Sequence, residues 1–319
     1  MKTLVNFNWK PLWTTHMGCL CACKDYLGVD VSDAAIFGAT GHAFVINVHE
    51  ELCPSGPTAW RSTMLFENIR NLGLEINGCF GWKGESEDKY RQLQKKAWDY
   101  IRQCIDRDLP CYCWYMDEYS IIDGYDEVGY FLKGVGHEEG KGPLPWEMLG
   151  KEGVSFVEAY ALRKSQQPTP VPEMIKSTFS AVLKHASNTE GWIFDGYRSG
   201  TEAYTLWITS MEQGKADRFG NSYNARVWGE CRAQAVIFLE ENSAKLSGEK
   251  KSLIEEGLDH YRIVSENLKV VSGLYPLGEY KENETCPVDD TCAEAVKALK
   301  AARAAEGKAL DVLEKFVNL

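Results

Sequence analysis

The segment from residue 166 to residue 172 constrains this chain more than any other, because proline stands at every second position from Pro168 to Pro172. Proline lacks a backbone N–H and fixes φ, so this segment favours an extended conformation and cannot continue a helix. The hydrophobic pattern is mixed before the segment and helical after it. The sequence therefore predicts two domains, one over residues 1–165 and one over residues 173–319.

The second domain is predicted to be all-α. Apolar residues recur at three- and four-residue spacing, as at Ala225, Trp228 and Cys231, which is the period of an amphipathic helix. Short connections between such segments favour antiparallel neighbours, so we expect a helical bundle. The predicted helices cover residues 173–188, 198–214, 222–246, 250–273 and 289–317.

The first domain is predicted to be α+β, with helices followed by a small antiparallel sheet. After residue 110, runs of β-branched and aromatic residues alternate with turn residues, which is typical of short strands. The expected helices are 18–28, 32–36, 58–72, 86–108 and a short one that begins at 142. The expected strands are 43–48, 110–115, 119–123, 130–132 and 155–163.

Charge and hydropathy narrow the classes of partner. The formal net charge is −11, which argues against nucleic acids and anionic membranes, since both select basic surfaces. No apolar run approaches the roughly 18 residues of a spanning helix, and the first residues lack the apolar core of a secretory signal. The eleven cysteines are an odd number, which fits thiols in a reducing cytosol. We therefore expect a cytoplasmic protein with no nucleic-acid or membrane partner.

The first candidate site is a thiol at the expected start of the first helix. Cys19 follows Gly18, and a helix N-terminus favours thiolate through its unpaired N–H groups and positive dipole end. His42 and His16 are the candidate bases, and His42 follows Gly41 in a loop where the backbone can approach a ligand closely. The N–H groups at the helix start would serve as oxyanion donors.

Structural roles compete with this interpretation. Cys19, Cys21 and Cys23 alternate, and cysteine is among the residue types most often buried, so these thiols can belong to the core. A zinc site is disfavoured, because structural zinc uses cysteine pairs two to four residues apart from two separate segments. His42 can equally be a structural histidine that hydrogen-bonds to the backbone.

Three further features have simple interpretations. Asp117 and Glu118 favour a solvated strand end over an acid–base pair. Cys286 and Cys292 lie in a polar segment and are expected to be surface thiols. The sequence contains no glycine-rich phosphate loop, dinucleotide fingerprint or histidine-rich metal motif, so we expect no cofactor and no metal.

Several segments of the first domain carry a resemblance to a known family. They are the run from His16 to Gly28, the Phe37-Gly38 pair, the segment from Leu109 to Asp126 that ends in Ile-Asp-Gly-Tyr-Asp, and Gly142-Pro-Leu-Pro-Trp-Glu-Met-Leu. Together they resemble the N-terminal domain of butirosin-biosynthesis protein H, which is related to the double-glycine-leader cysteine peptidases. The resemblance covers roughly residues 14–163 and implies a papain-like fold.

The resemblance also implies thioester or amide chemistry, in which a thiolate attacks the carbonyl of a small or carrier-bound acyl substrate. His16 matches the leading histidine of the family. Met17 stands where the family has cysteine, and the nearest thiol is that of Cys19. Glu118 falls at the position of the family's hairpin histidine.

Two functions therefore compete. The first is cysteine-dependent acyl transfer or amide hydrolysis; the alternative is a catalytically degenerate papain-like domain that binds a small molecule or a protein. A homodimer is compatible with both. The catalytic candidates are Cys19, His42 and His16, and the candidate substrate-binding residues are Gly18, Gly41, Asp117, Glu118 and Tyr119.

Overall fold

The structure is a computed structural model, which describes residues 1–84, 86–281 and 283–319. Within these ranges the strands are β1 (Lys2–Thr3), β2 (Asn47–His49), β3 (Leu74–Trp82), β4 (Cys111–Tyr115), β5 (Glu118–Tyr125), β6 (Gly129–Lys133), β7 (Lys141–Pro145), β8 (Phe156–Lys164) and β9 (Tyr197–Ser199). The helices are α1 (Thr15–Tyr26), α2 (Asp33–Thr40), α3 (Thr63–Asn68), α4 (Glu87–Asp106), α5 (Val171–Ser187), α6 (Gly200–Glu212), α7 (Arg218–Ser243), α8 (Gly248–Leu274) and α9 (Asp290–Asn318).

The chain forms two compact units. Unit 1 consists of Met1–Ser32 and Gly73–Pro168, and unit 2 consists of Asp33–Leu72 and Thr169–Leu319. Unit 1 is α+β and unit 2 is mainly helical, as the sequence predicts. The structure groups residues 33–72 with the C-terminal helices, whereas the sequence analysis placed them in the first domain. The predicted domain division at 165–173 stays a prediction.

Unit 1 is built on an antiparallel sheet in the order β3-β8-β4-β5-β6-β7, with β1 paired to β5. Successive side chains of a strand point to opposite faces. On β4, Tyr112 therefore faces α1, where its hydroxyl meets His16, while Cys111 faces α4 and hydrogen-bonds with Cys104. One helix thus packs on each face of the sheet.

Unit 2 is a helical assembly in which α9 packs on α8, α6 and α5, and α7 packs on α8 and α2. Buried residues at helical spacing, such as Trp228, Cys231 and Ala235, form its core. A two-stranded ribbon of β2 and β9 lies in the same unit. The five predicted helices are confirmed, with ends that differ by a few residues.

Some predicted elements of the first half are wrong. Strand β3 was missed, although its register with β8 runs without a break from Leu74 to Trp82. Residues 141–145 form strand β7 rather than a helix, because the prolines of β7 lie on the sheet edge, where a missing N–H costs no ladder bond. The strand expected over residues 43–48 is reduced to β2, because a 3-10 helix occupies His42–Phe44 after Gly41 turns at φ 87°.

Two other expectations need correction. The helix predicted over residues 58–72 begins only at Thr63 and gives way to a 3-10 helix over Ile69–Leu72. Cys286 and Cys292 are buried, not surface thiols. The four strands predicted after residue 110 are confirmed as β4, β5, β6 and β8. In the described ranges, none of the helices has both the length and the apolar run needed to cross a bilayer.

Candidate functional site

Helix α1 begins beside the start of strand β5. Thr15, the first residue of α1, donates a hydrogen bond from its hydroxyl to Glu118 Oε2 at 2.5 Å and accepts one from the backbone N–H of Tyr119 at 3.1 Å. Thr15 is buried and Glu118 is half-buried. A threonine hydroxyl and a carboxylate therefore occupy the junction of this helix and this strand.

The sequence predicted the helix start three residues too late. Because α1 begins at Thr15, Cys19 is its fifth residue, and the N–H of Gly18 is already bonded to the carbonyl of Thr14 at 2.9 Å. Gly18 also passes close to another segment, since a Cβ built on it would lie 2.7 Å from the carbonyl oxygen of Lys10. The free N–H groups expected to activate Cys19 lie upstream of it.

The thiol of Cys19 is fully buried. Burial raises the pKa of Cys19 well above its ordinary value, and the neighbouring thiols of Cys23 and Cys113 raise it further. A thiol whose ionised form is disfavoured in this way is a poor nucleophile. The environment of Cys19 matches the core-thiol interpretation of the Cys19–Cys23 pattern.

The other predicted residues of unit 1 cluster around the same junction. His16 stacks on Tyr119, with ring centroids 4.3 Å apart, and its Nε2 lies 3.1 Å from the hydroxyl of Tyr112. Asp117 is exposed in the turn before β5, where its carboxylate accepts a hydrogen bond from the N–H of Val154 at 2.8 Å. Thus His16, Glu118 and Tyr119 come together, and Asp117 points to a separate loop contact.

A second carboxylate lies deeper along the same face. The hydroxyl of Tyr119 donates a hydrogen bond to Glu158 on β8. Burial raises the pKa of Glu158 to about 7, against the opposing effect of that hydrogen bond. Tyr160 follows on the same face, and burial followed by the nearby Glu158 raises its pKa. Glu158 therefore changes its charge near neutral pH, which makes its protonation state sensitive to a charged ligand beside it.

Beyond α1 the same sheet face carries exposed aromatic side chains. Phe80 and Trp82 are 53% and 57% exposed, and Trp82 packs on Phe156 with ring centroids 4.9 Å apart. Phe156 stacks on the buried Trp114 at 5.2 Å. We call these four residues the aromatic platform. Glu158 lies directly opposite Phe80 in the β3–β8 register, so a carboxylate borders the platform.

His42, the predicted base, belongs to unit 2, whereas Cys19 belongs to unit 1. Within unit 2, His42 is fully buried, its Nδ1 lies 3.5 Å from the sulfur of Cys231, and its ring stacks over Trp228. Burial, with a smaller contribution from the nearby Arg232, lowers the pKa of His42 to about 4. Gly41 supplies the left-handed turn that precedes it. The thiol that His42 contacts is therefore that of Cys231.

The same core contains a buried ion pair. Arg232 binds Glu306 through two nitrogens, at 2.9 and 2.8 Å, and donates to the carbonyls of Ala43 and Val45. Tyr204 donates to the same carboxylate at 3.2 Å. These bonds connect α7, α9 and α6 with the segment that carries His42. Arg232 thus makes four hydrogen bonds in the core, which supports a structural role.

Sequence reasoning missed Thr15, Tyr112, Glu158 and the ion pair. A threonine at the start of a helix is not diagnostic of a site. The partner of Arg232 is 74 residues away along the chain. A usable signal existed for Glu158, which is the lone acidic residue of strand β8 and is followed by four residues without charge. Among the described residues, no group of three His, Cys, Asp or Glu side chains is placed to hold a metal ion.

Comparisons with known proteins add no identification. No family model matches the sequence, and no curated protein matches it.

Proposed function

We propose that this chain is a catalytically degenerate papain-like protein whose first unit binds a small organic cation on the aromatic platform. The observation that carries this proposal is the Thr15–Glu118 hydrogen bond. A cysteine enzyme of this class needs a thiol at the helix start and an imidazole at the facing strand start. In this chain the first residue of α1 and the first residue of β5 instead bring a hydroxyl and a carboxylate together, while Met17 stands where the resemblance places the family's cysteine.

The Thr15–Glu118 pair is a poor catalytic substitute. A hydroxyl is far less acidic than a thiol, and a carboxylate is a weak base at neutral pH, so proton transfer between them is strongly uphill. The hydroxyl of Thr15 is also engaged as an acceptor by Tyr119. These contacts favour a role in holding α1 against β5.

Cysteine-dependent acyl transfer or amide hydrolysis has less support. It requires a reactive Cys19, and that thiol is buried with a raised pKa. It also requires a base, and His42 contacts Cys231 in the core of unit 2.

The positive charge of the proposed ligand is inferred from the aromatic platform and from the carboxylate that borders it. The faces of tryptophan and phenylalanine rings attract cations, and a desolvated carboxylate beside them adds charge complementarity. Phe80, Trp82 and Phe156 supply the faces, and Glu158 supplies the carboxylate. A ligand with an ammonium group and an apolar ring would use both.

The test uses benzylammonium and benzoate, two probes that differ in charge and share a ring, with binding measured by isothermal titration calorimetry. We expect benzylammonium to bind and benzoate not to bind. The Trp82→Ala and Glu158→Gln variants should each weaken binding about tenfold, which corresponds to about 1.4 kcal/mol. Phe219→Ala, an exposed aromatic residue of unit 2, is the matched control.

The same preparation is assayed for catalysis with an acyl-pantetheine thioester and for alkylation of Cys19 against the half-buried Cys53. We expect no turnover above that of Cys19→Ser and slower alkylation of Cys19 than of Cys53. Turnover that disappears in Cys19→Ser would overturn the degenerate assignment. Equal binding of both probes would overturn the ligand class alone.

A further inference from the structure

The two edges of the sheet in unit 1 differ in how they are protected. A strand at the edge of a sheet presents backbone N–H and C=O groups that can pair with another chain. The β7 edge carries Pro143 and Pro145, which lack the N–H groups that such pairing uses. The register of β7 with β6 is also broken between Tyr130 and Leu132. This edge is therefore poorly suited to accept a further strand.

The opposite edge is strand β3, which contains no proline. Among the described residues, β8 is the one strand paired with β3. Gly73 accepts a hydrogen bond from the N–H of Ser165 at 2.8 Å, and Lys83 donates one to the carbonyl of Ser155 at 3.2 Å. Because bonded and non-bonded positions alternate along an antiparallel pair, the odd-numbered residues between these two bonds face β8 with their backbone groups. The backbone groups of the even-numbered residues point outward from the edge.

The accessible part of this edge runs from Gly78 to Trp82. Gly78 is exposed, and Phe80 and Trp82 are each more than half exposed, whereas Leu74 and Ile76 are buried. A partner strand can therefore reach the outward backbone groups at residues 78, 80 and 82. An edge with large apolar side chains and no proline is the kind that favours pairing with another strand.

The sequence of this edge is complementary to itself. When two copies pair antiparallel about Phe80, Phe80 faces its own counterpart and Gly78 faces Trp82 of the other copy. Facing aromatic side chains stabilise a strand pair. An aromatic ring opposite a glycine covers the backbone that the glycine leaves bare. This register therefore gives every exposed position of the edge a suitable partner.

The charges on the other face of the strand fit the same register. Lys83 faces the uncharged Asn77 of the other copy, and Glu75 lies diagonally beside that lysine. Within its own chain Glu75 binds Arg163 at 2.6 Å, and Lys83 binds Glu87 at 3.0 Å. Pairing thus places the two ion pairs next to each other with their charges in alternation.

We propose that two copies of this chain pair antiparallel through the outer edge of β3, with the two-fold axis at Phe80. The pairing joins the two sheets into one continuous sheet and sets the exposed aromatic side chains of both copies side by side on one face. It concerns the edge of the sheet and goes beyond the ligand proposed for its face. Because the paired segment is short, we expect a weak dimer that depends on concentration.

The first test measures the mass of the full chain by sedimentation equilibrium. The protein concentration runs from about 1 to 300 µM, in about 0.15 M salt to screen the net charge of the chain. We expect the mass to rise with concentration from the 35.9 kDa of one chain toward twice that value. A mass that stays at 35.9 kDa over the whole range overturns the proposal.

Charge substitutions at the two-fold position test the register. Phe80→Lys places two ammonium groups opposite each other, and Phe80→Glu does the same with two carboxylates. Each variant alone should therefore dimerise at least about tenfold more weakly than the wild type. An equimolar mixture should dimerise again, because each lysine then faces a glutamate. Recovery in the mixture also shows that both variants are folded.

Phe219→Lys is the matched control, because Phe219 is an exposed aromatic residue of unit 2. It should dimerise as strongly as the wild type. The proposal is overturned if Phe80→Lys dimerises as well as the wild type, if Phe219→Lys weakens the dimer equally, or if the mixture stays monomeric. None of these measurements uses a cationic ligand, so their failure is distinct from a failure of the proposed function.

Discussion

His185 illustrates how a single buried residue sets the acid limit of unit 2. Both of its ring nitrogens are buried without a hydrogen-bond partner, and its ring packs edge-on against Trp60 at 4.6 Å. Burial, with smaller contributions from the nearby His42 and Arg232, lowers its pKa to about 3. The folded core therefore holds this imidazole neutral through the pH range in which an unfolded chain would take up a proton.

The lowered pKa of His185 determines the direction in which the stability of unit 2 changes with pH. Below about pH 6.5 the unfolded state binds a proton that the folded state does not, so unit 2 loses stability as the pH falls. Between pH 7 and pH 5 we expect His185→Leu to gain about 2 kcal/mol relative to the wild type. Urea unfolding at both pH values measures this difference.

The matched control is His260→Gln on α8. It should follow the wild type at both pH values. A His185→Leu variant that loses stability in parallel with the wild type would show that the buried imidazole is not the source. His42 would remain and would keep part of the acid sensitivity, because burial also lowers its pKa to about 4.

At the scale of elements, the side chain of Arg232 holds α7, α9 and the chain around Ala43 together. Removing one partner of a buried ion pair leaves an uncompensated charge, which costs about 3–5 kcal/mol. We expect Arg232→Met to destabilise unit 2 by this amount and Glu306→Gln to do the same. Denaturant unfolding at neutral pH measures both.

The double variant separates the charge from the packing. Arg232→Met with Glu306→Leu leaves no isolated charge, so it should be more stable than either single variant. Strictly additive losses would contradict this account. Arg262 and Glu240, an exposed pair on α8 and α7, provide the control, because breaking an exposed pair costs at most about 1 kcal/mol.

How far the elements follow from the sequence depends on the range of the interactions that form them. The helices of unit 2 were predictable, because a 3.6-residue period is a local pattern. Strand β3 was missed because Gly78 and Gly81 interrupt its run of strand-forming residues. The strand that begins at Glu118 was predictable from its local residue pattern, whereas the bond of Glu118 to Thr15 joins residues 103 positions apart.

The candidate site shows the same limit. Burial of Cys19 depends on what packs over α1, and a sequence pattern cannot distinguish an active thiol at a helix start from a core thiol one turn later. The contact between His42 and Cys231 spans 189 residues. Such pairs are fixed by tertiary packing and leave no local signal.

At the scale of the whole molecule, the chain enters each unit twice. The two passes through unit 2 meet where the N–H of Thr169 bonds to the carbonyl of Asn71 at 2.9 Å. The ends left by removing residues 73–168 therefore lie next to each other. We expect a variant in which a short Gly-Ser linker replaces residues 73–168 to retain a cooperatively folded unit 2, measured by circular dichroism during thermal unfolding.

The contrasting fragment is residues 173–319, the second domain as the sequence predicts it. It lacks α2, whose Gly38 packs directly against Phe238 of α7, and it lacks the carbonyls that Arg232 binds. We expect this fragment to unfold without a sharp transition. Cooperative unfolding of the fragment at the stability of the linked variant would instead support the predicted boundary.

Because the chain enters each unit twice, unit 1 is complete before unit 2 during synthesis on the ribosome. Unit 1 has all its residues once Pro168 has emerged, while residues 33–72 must wait for α7 and α9. At typical rates of synthesis, the roughly 150 remaining residues take on the order of 10–30 s. During that interval a newly made chain presents His42, Phe44 and the apolar face of α2 without their partners, which makes this segment the natural point of engagement for a chaperone.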